Sequence, residues 1–315
     1  METHLRFMNN PPACGSWNMA VDDVLFLGLR ARLAAGLTGN GPGGWIRFYR
    51  WSPPTLSFGL FQRPERSLAI DRLEAAGIGA VRRTTGGKMV FHADEITFSM
   101  GLPVDVISRR SANDEGRAIP FLELFQAMMT PLVGGLRDLG FDATFASPVK
   151  EKASQGGTAK LHCYAVPAGH SIMLSGKKLV GAAGVLREGV LAIHGSLPLG
   201  VSYLPPEVFL RPEDAQCEVL TAVLGDQKTF DRASAGKSID DLVSAITRRF
   251  ALAFGLMPTP DKGLSSREVS AVEFLAKERY SDLFWPQKKK TSEIEEKAGT
   301  ILFGPTIVES CRSSQ

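Results

Sequence analysis

The residues best suited to chemistry gather between Cys163 and Ser196, in CYAVPAGHSIMLSGKKLVGAAGVLREGVLAIHGS. Cys163 offers a thiol, and Lys177 and Lys178 offer ammonium groups directly before a run of glycine and alanine. A thiolate is the nucleophilic form of cysteine, and a nearby positive charge favours it. The competing reading is a buried cysteine with two surface lysines, and the residue types alone leave both readings open. The segments HSIMLS, KKLVGAAGVL and GVLAIHGSL have the lengths of three short strands, broken by Ser-Gly and Arg-Glu-Gly turns. A hairpin-rich sheet holds side chains in fixed register, so Cys163 and Lys178 can face one pocket although fifteen positions separate them.

A second stretch with chemical potential is RRTTGGKMVFHADEITFS, residues 82 to 99. Arg82 and Arg83 carry planar donors suited to a carboxylate or phosphate, and Gly86 and Gly87 free the backbone for close approach to a ligand. The glycine spacing fits neither a Walker loop nor a dinucleotide fingerprint, and no helix follows. A plain hairpin turn with exposed basic residues is the alternative. His92 can orient this turn or move a proton, or it can be a structural histidine on a strand; His170 and His194 share that ambiguity. His162 adjoins Cys163, but strand neighbours point to opposite faces, which argues against a Cys-His pair there. Phe48, Trp51, Leu56 and Val90 are candidate walls of an apolar slot, or simple core.

The composition narrows the class of function. A 315-residue chain that is 44% hydrophobic and 22% charged reads as globular. A net charge of +3 without a dense basic helix does not point to nucleic acid. Cys14, Cys163, Cys217 and Cys311 lack metal-ligand or redox-pair spacing, which suggests free thiols in a reducing compartment. No apolar run approaches the ~18 residues of a membrane span, and METHLRFMNN lacks the features of a signal peptide. These features predict a cytoplasmic protein that binds neither nucleic acid nor membrane and holds no metal.

Around these stretches, the pattern predicts a helix over residues 16–36, a glycine-rich loop in LTGNGPGG, and strands in WIRFYRW and TLSFGLF joined by a tight Ser-Pro-Pro turn. A short helix over 65–76, a strand in GAVRR and an alternating, half-buried strand in EITFSMGL follow. A longer helix fits 117–139, with Pro131 inside it, and FDATFAS reads as a strand. After residue 196, LPPEVFLRPED, the run over 238–254 and REVSAVEFLAKERY read as helices, and QKKKTSEIEEKAG reads as a solvated surface or mobile tail. The expected fold is mixed α/β, with a mostly antiparallel sheet and flanking helices. Residues 1–250 form the catalytic domain, 251–285 a helical appendix of it, and 286–315 the charged tail.

The motifs together resemble the lipoate-protein ligase and octanoyltransferase family, which shares its catalytic fold with biotin protein ligases. The likeness runs from about residue 14 to 285. It rests on NMAVDD, RFYRWSPPTLSFGLFQ, RRTTGGKMVFH, GKKLVGAA and KERYSDLFW, which stand in the family's order. The resemblance implies that Lys178 is catalytic and that Arg82, Arg83, Gly86, Gly87, Lys88, His92, Gly181 and Ala182 bind substrate. Lys88 stands where the transferase branch often has arginine and ligases often have glycine. GAAG replaces the commoner Gly-Ser-Ala, a departure that bears on substrate preference.

Two chemistries divide that family. Ligases activate lipoate with ATP and need no cysteine. One octanoyltransferase branch takes octanoate from acyl carrier protein onto a cysteine lying shortly before the lysine motif, in a Cys-Phe pair followed by proline. Cys163-Tyr164-Ala-Val-Pro167 is similar to that pattern, which implies Cys163 as nucleophile, Lys178 as its activator and no nucleotide cofactor. An ordinary cysteine of pKa about 8.5 is only a few per cent thiolate at neutral pH. An ammonium about 4 Å away supplies up to a few kcal/mol at an effective dielectric of ~20, against roughly 1.4 kcal/mol per pKa unit. The implied donor is octanoyl-acyl carrier protein. The implied acceptor is a lipoyl-carrier domain such as the glycine cleavage H protein or a dehydrogenase E2 subunit. An ATP-dependent ligase and a non-catalytic acyl- or carrier-binding protein remain the alternatives; the short stretch after Trp285 is too small for the accessory domain that many ligases carry.

Overall fold

Strand β6 (Glu95–Pro103) is buried along all nine of its residues in the computed structural model. The structure describes residues 4–37, 43–63, 68–109, 119–146, 171–200, 204, 236–283 and 288–304. The alternation expected for β6 is present in residue type, since Ile96, Phe98, Met100 and Leu102 join one apolar core. Its polar face is nevertheless covered, and the hydroxyls there meet indoles. Trp51 Nε1 donates to Thr97 Oγ1 at 2.6 Å and Trp45 Nε1 donates to Ser99 Oγ at 3.1 Å. Buried polar groups that find such partners need no water.

β6 lies inside an eight-stranded sheet. The other strands are β1 (His4–Asn9), β2 (Gly44–Tyr49), β7 (Ala143–Phe145), β8 (Ile172–Leu174), β9 (Lys177–Arg187), β10 (Val190–Pro198) and β11 (Met257–Pro260). Their order is β11-β1-β2-β6-β10-β9-β8-β7. β1 pairs in parallel with β2 and β11, and the remaining neighbours are antiparallel. The fold class expected from the pattern therefore holds, as do the three consecutive strands β8, β9 and β10 and the strand within FDATFAS.

Helices cover both faces of the sheet. Helix α4 (Phe121–Asp138), with Pro131 inside it, and α5 (Ile239–Phe254) bury Phe125, Leu132, Ile246 and Phe250 with the apolar face of β6. α5 starts at a capping box between Ser238 and Asp241 and stops at Gly255, which is left-handed at φ 63°. On the other face, α1 (Gly15–Ala34), α6 (Ser266–Glu278) and α7 (Lys288–Phe303) bury Val24, Val272, Leu275, Ile294 and Ala298. Two short helices, α2 (Ile70–Ala75) and α3 (Val104–Ser108), complete the described set.

Three expectations give way. WIRFYRW and TLSFGLF do not pair with each other: β3 (Thr55–Phe58) joins a separate three-stranded sheet with β4 (Gly79–Arg82) and β5 (Val90–His92). Pro53 and Pro54 have no N–H to donate to a ladder, so the chain leaves the first sheet there. Residues 251–285 are not purely helical, because β11 adds to the main sheet beside β1. The charged stretch expected as a solvated surface or mobile tail instead forms α7, whose Ile294, Ala298 and Leu302 recur at helical spacing and are buried. The expected helix in LPPEVFLRPED and the loop in LTGNGPGG lie largely outside the described residues.

Candidate active site

The motif NMAVDD on α1 fixes that helix to the sheet with buried charge. Arg47 of β2 donates through Nη1 to Asp22 Oδ1 at 2.7 Å and through Nη2 to Asn18 Oδ1 at 2.8 Å. Tyr49 OH donates to Asp22 Oδ2 at 2.9 Å. Asp23 accepts from Arg279 Nη1 at 2.6 Å and from Tyr280 OH at 2.5 Å, so the KERY segment closes onto α1. Burial raises both aspartate carboxyls, and the facing Arg47 and Arg279 partly offset it.

The two arginines before the glycine pair serve the backbone around them. Arg82 donates to the carbonyls of Leu283, Gly59, Leu60 and Gln62 at 2.6–3.2 Å. Arg83 donates to Ser57 O and Oγ at 3.0 and 2.7 Å, and to the carbonyls of Gly86 and Lys88 at 3.2 and 2.8 Å. Both are buried. These bonds brace the glycine turn. Gly87, at φ 91°, holds a conformation that other residues resist. An added methyl on it would meet Ala183 Cβ at 3.4 Å, so the turn lies against β9.

Beneath the turn is a narrow cleft lined by Arg83, Gly87, Lys88, Val90, His92, Gly181, Ala182 and Ala183, with Met19, Tyr49, Trp51, Thr97, His194, Gly195 and Ser196 completing the wall. Six expected positions, Arg83, Gly87, Lys88, His92, Gly181 and Ala182, thus share one site. Gly86 adjoins it, and Arg82 lines a different cavity. Of the candidate apolar walls, Trp51 and Val90 are in the cleft, whereas Phe48 packs in the core with α4 and Leu56 packs with Phe58 and Leu73.

His92 is held at both ring nitrogens. Nδ1 lies 2.6 Å from Glu95 Oε1, Nε2 lies 2.6 Å from Ser57 Oγ, and the ring stacks on Trp51 at 4.1 Å. Burial alone would raise the Glu95 carboxyl, but His92 and the hydroxyls of Ser196 and Thr97 outweigh it, and Glu95 sits below its ordinary value. His194 Nε2 lies 2.6 Å from Thr85 Oγ1, tying the glycine turn to β10. Burial, reinforced by Arg83 and His92, holds the His194 imidazole well below 6.5, so it is neutral at physiological pH. Glu95, Met19, Tyr49 and Ser196 were not foreseen as site residues. Glu95 carried a signal, as a lone carboxylate at the head of an apolar strand.

Lys178 is buried where the register of β9 is irregular, and it is not among the residues that line the cleft. Ile172 of β8 faces Val180, but the next residue, Met173, faces Lys178, leaving Leu179 as an extra residue. Directly paired residues share a face and successive strand residues alternate. Lys178 therefore lies on the opposite face from Val180 and on the same face as Gly181 and Ala183. A regular strand would have turned it into the core beside Val180, and re-aiming a side chain in this way is a recurrent use of bulges. Cys163, His162 and His170 lie outside the described residues. Among the described residues, no cluster of three or more His, Cys, Asp or Glu is placed to hold a metal, and no helix is long and apolar enough to cross a membrane.

The chain is 32% identical over 279 residues to the octanoyltransferase LipM of Kyrpidia tusciae, an alignment covering 86% of this chain and 95% of that one. It is 34% identical over 246 residues to LipM of Moorella thermoacetica, covering 75% and 83%. Among solved structures, lipoate-protein ligase A bound with ATP superposes with a TM-score of 0.64 at 23% identity, covering 90% and 98% of the two chains. The bipartite lipoate protein ligase of Thermoplasma acidophilum gives 0.57 at 21%, covering 90% and 96%; these two likenesses establish the fold. The family profile for the lipoyl protein ligase A/B catalytic domain matches residues 15–251, and the chain belongs to that family.

Proposed function

We propose that this protein is a cytoplasmic octanoyltransferase that moves an octanoyl group from acyl carrier protein to a lysine of a lipoyl-carrier domain through a Cys163 thioester. The observation that supports the reading is the cleft in which the glycine turn at Gly87 and Lys88 meets Gly181, Ala182 and Ala183 of β9, the strand that also carries Lys178. The LipM relatives support the choice of octanoyl transfer.

In this mechanism the Lys178 ammonium favours the Cys163 thiolate. The thiolate adds to the thioester carbonyl of the donor, the carrier's sulfur departs and takes up a proton, and octanoyl remains on Sγ. The first carrier leaves before the second docks, which spares the enzyme from holding two macromolecules at once. The neutral amine of the acceptor lysine then attacks the acyl-enzyme. An amide forms, the Cys163 sulfur leaves as thiolate, and the amine proton passes to solvent. Backbone groups of Gly86–Lys88 are suited to steady the carbonyl oxygen in both steps. The acceptor is a lipoyl domain, such as the glycine cleavage H protein or a dehydrogenase E2 subunit.

Mass spectrometry of the protein mixed with octanoyl-acyl carrier protein tests this directly. Octanoyl should attach to Cys163 without ATP or magnesium and disappear when an apo-lipoyl domain is added. Cys163→Ala should neither acylate nor transfer. Strict dependence on ATP, magnesium and a free acid would assign the chain to the ligases, and normal transfer by Cys163→Ala would end the covalent mechanism.

A further inference from the structure

Phe61 is 83% exposed, the most exposed of the large hydrophobic residues described. It stands on the short turn 59–62, whose backbone is held by several hydrogen bonds. Arg82, itself buried, spends three bonds on the carbonyls of Gly59, Leu60 and Gln62. The side chain of Gln62 accepts from Gly59 N at 2.9 Å, and Leu60 N donates to Thr85 O at 2.8 Å. The turn also rides on the glycine loop, because a methyl on Gly86 would meet the Phe61 ring at 3.9 Å. The backbone that carries this exposed ring is thus held against the glycine turn. Beside Phe61 opens a cavity of about 670 Å³. Arg30, Arg63, Arg82, Arg187 and Arg279 line it with Asp23 and Glu295, and Glu188 pairs with Arg30 and Arg187 at its edge, so guanidinium groups still outnumber the carboxylates.

Given the transferase reading, on which this rests, we propose that Phe61, rimmed by Arg63 and Arg187, anchors the docking of the acidic carrier domain that delivers the acyl group. A rigid aromatic costs little conformational entropy when it is buried by a partner, and such residues dominate binding at interfaces. The guanidinium rim supplies steering and orientation toward an acidic surface. An acyl group that arrives on a carrier must be presented at the glycine turn, and Phe61 is the exposed apolar group packed on that turn.

The test compares two donors in the acyl-enzyme step: octanoyl-acyl carrier protein, and octanoyl-N-acetylcysteamine, a small thioester with no protein surface. Phe61→Ala should lower kcat/KM for the carrier-borne donor by roughly thirtyfold more than for the small thioester, mostly through KM. Arg63→Glu should act in the same direction, with a deficit that shrinks as salt rises. An equal effect on both donors would place Phe61 in the acyl site, and no selective effect would remove it from carrier docking; either overturns the proposal while leaving the transferase reading intact. Selective loss of transfer to the lipoyl domain alone, or dissociation of a homodimer by Phe61→Ala in sedimentation, would assign the surface to another occupant and also overturn it. A wild-type protein acylated by neither donor would instead defeat the transferase reading itself.

Discussion

A methyl group placed on Gly59 would lie 2.0 Å from the carbonyl oxygen of Gly87. Both are backbone contacts, so neither side can give without moving the glycine turn. Gly59→Ala should displace Gly86–Lys88 from β9 and slow acyl-enzyme formation by on the order of a hundredfold, the scale expected for misplacing a reacting group by about 1 Å. Gly86→Ala, whose added methyl meets nothing nearer than 3.9 Å, should cost much less. Rates of acylation followed by mass, alongside melting curves, separate the two; equal losses would mean that this backbone contact does not set the position of the turn.

His194 should make the fold acid-sensitive. Its folded-state value lies well below the ordinary 6.5, so the unfolded chain takes up a proton first as pH falls. The stability that comes from keeping it neutral is complete above about pH 6.5 and is lost as pH drops toward the folded value, with a slope of up to about 1.4 kcal/mol per pH unit. His194→Asn should be less stable at pH 7.5 yet show a flatter decline between pH 6.5 and 5. Urea melts across that range provide the measurement, and parallel declines would exclude His194 as the source.

Lys178→Ala should depress acyl-enzyme formation most at neutral pH, where an unassisted thiol is scarcely ionised. Raising the pH toward about 8.5 should restore part of the rate as the thiol ionises unaided. Lys178→Arg should recover some of the charge while its broader head group crowds the site. A pH profile of Lys178→Ala parallel to the wild type would leave the nucleophile in place but remove Lys178 from its role.

Asp23→Ala should be costly for reasons unrelated to the reaction. It removes the carboxylate that the buried Arg279 guanidinium meets at 2.6 Å, while Glu295 stays at 3.1 Å. Removing one member of a buried pair costs about 3–5 kcal/mol, which denaturant unfolding would register. Asp23→Leu combined with Arg279→Met should regain much of that loss, because the unpaired charge goes with it. If the double variant is as unstable as Asp23→Ala, the ion pair is not what makes the position sensitive.

The elements around Lys178 were legible in the sequence because their signals are local. Ser-Gly and Arg-Glu-Gly turns separate β8, β9 and β10, and Ser175, Gly176, Glu188 and Gly189 have the positive φ that tight turns require. The backbone contacts of Arg82 and Arg83 were not legible. A one-dimensional pattern displays five guanidinium donors per arginine but not the carbonyls that converge on them, and Leu283 lies 201 residues from Arg82. The bulge at Leu179 was equally hidden, since the lysine motif reads the same in a regular strand. Helix α7 was masked by its own charge: the lysines and glutamates of KKKTSEIEEK outnumber the few apolar positions that α1 and α6 bury. β11, with two prolines in four residues, has no strand propensity of its own and exists through its pairing with β1.

Those prolines have a second effect. β1 meets β11 in parallel, with Leu5 opposite Pro258 and Phe7 opposite Pro260. Asp261 N donates to Phe7 O, so by alternation Thr259 and Met257 also face β1, and the two outward-facing positions of this described edge strand, Pro258 and Pro260, have no amide hydrogen to offer an incoming chain. A protein whose work is to receive other proteins repeatedly runs a risk of receiving itself, strand against strand. Among the described residues the sheet ends, on the β11 side, in prolines that cannot donate to such a ladder, which disfavours edge pairing there.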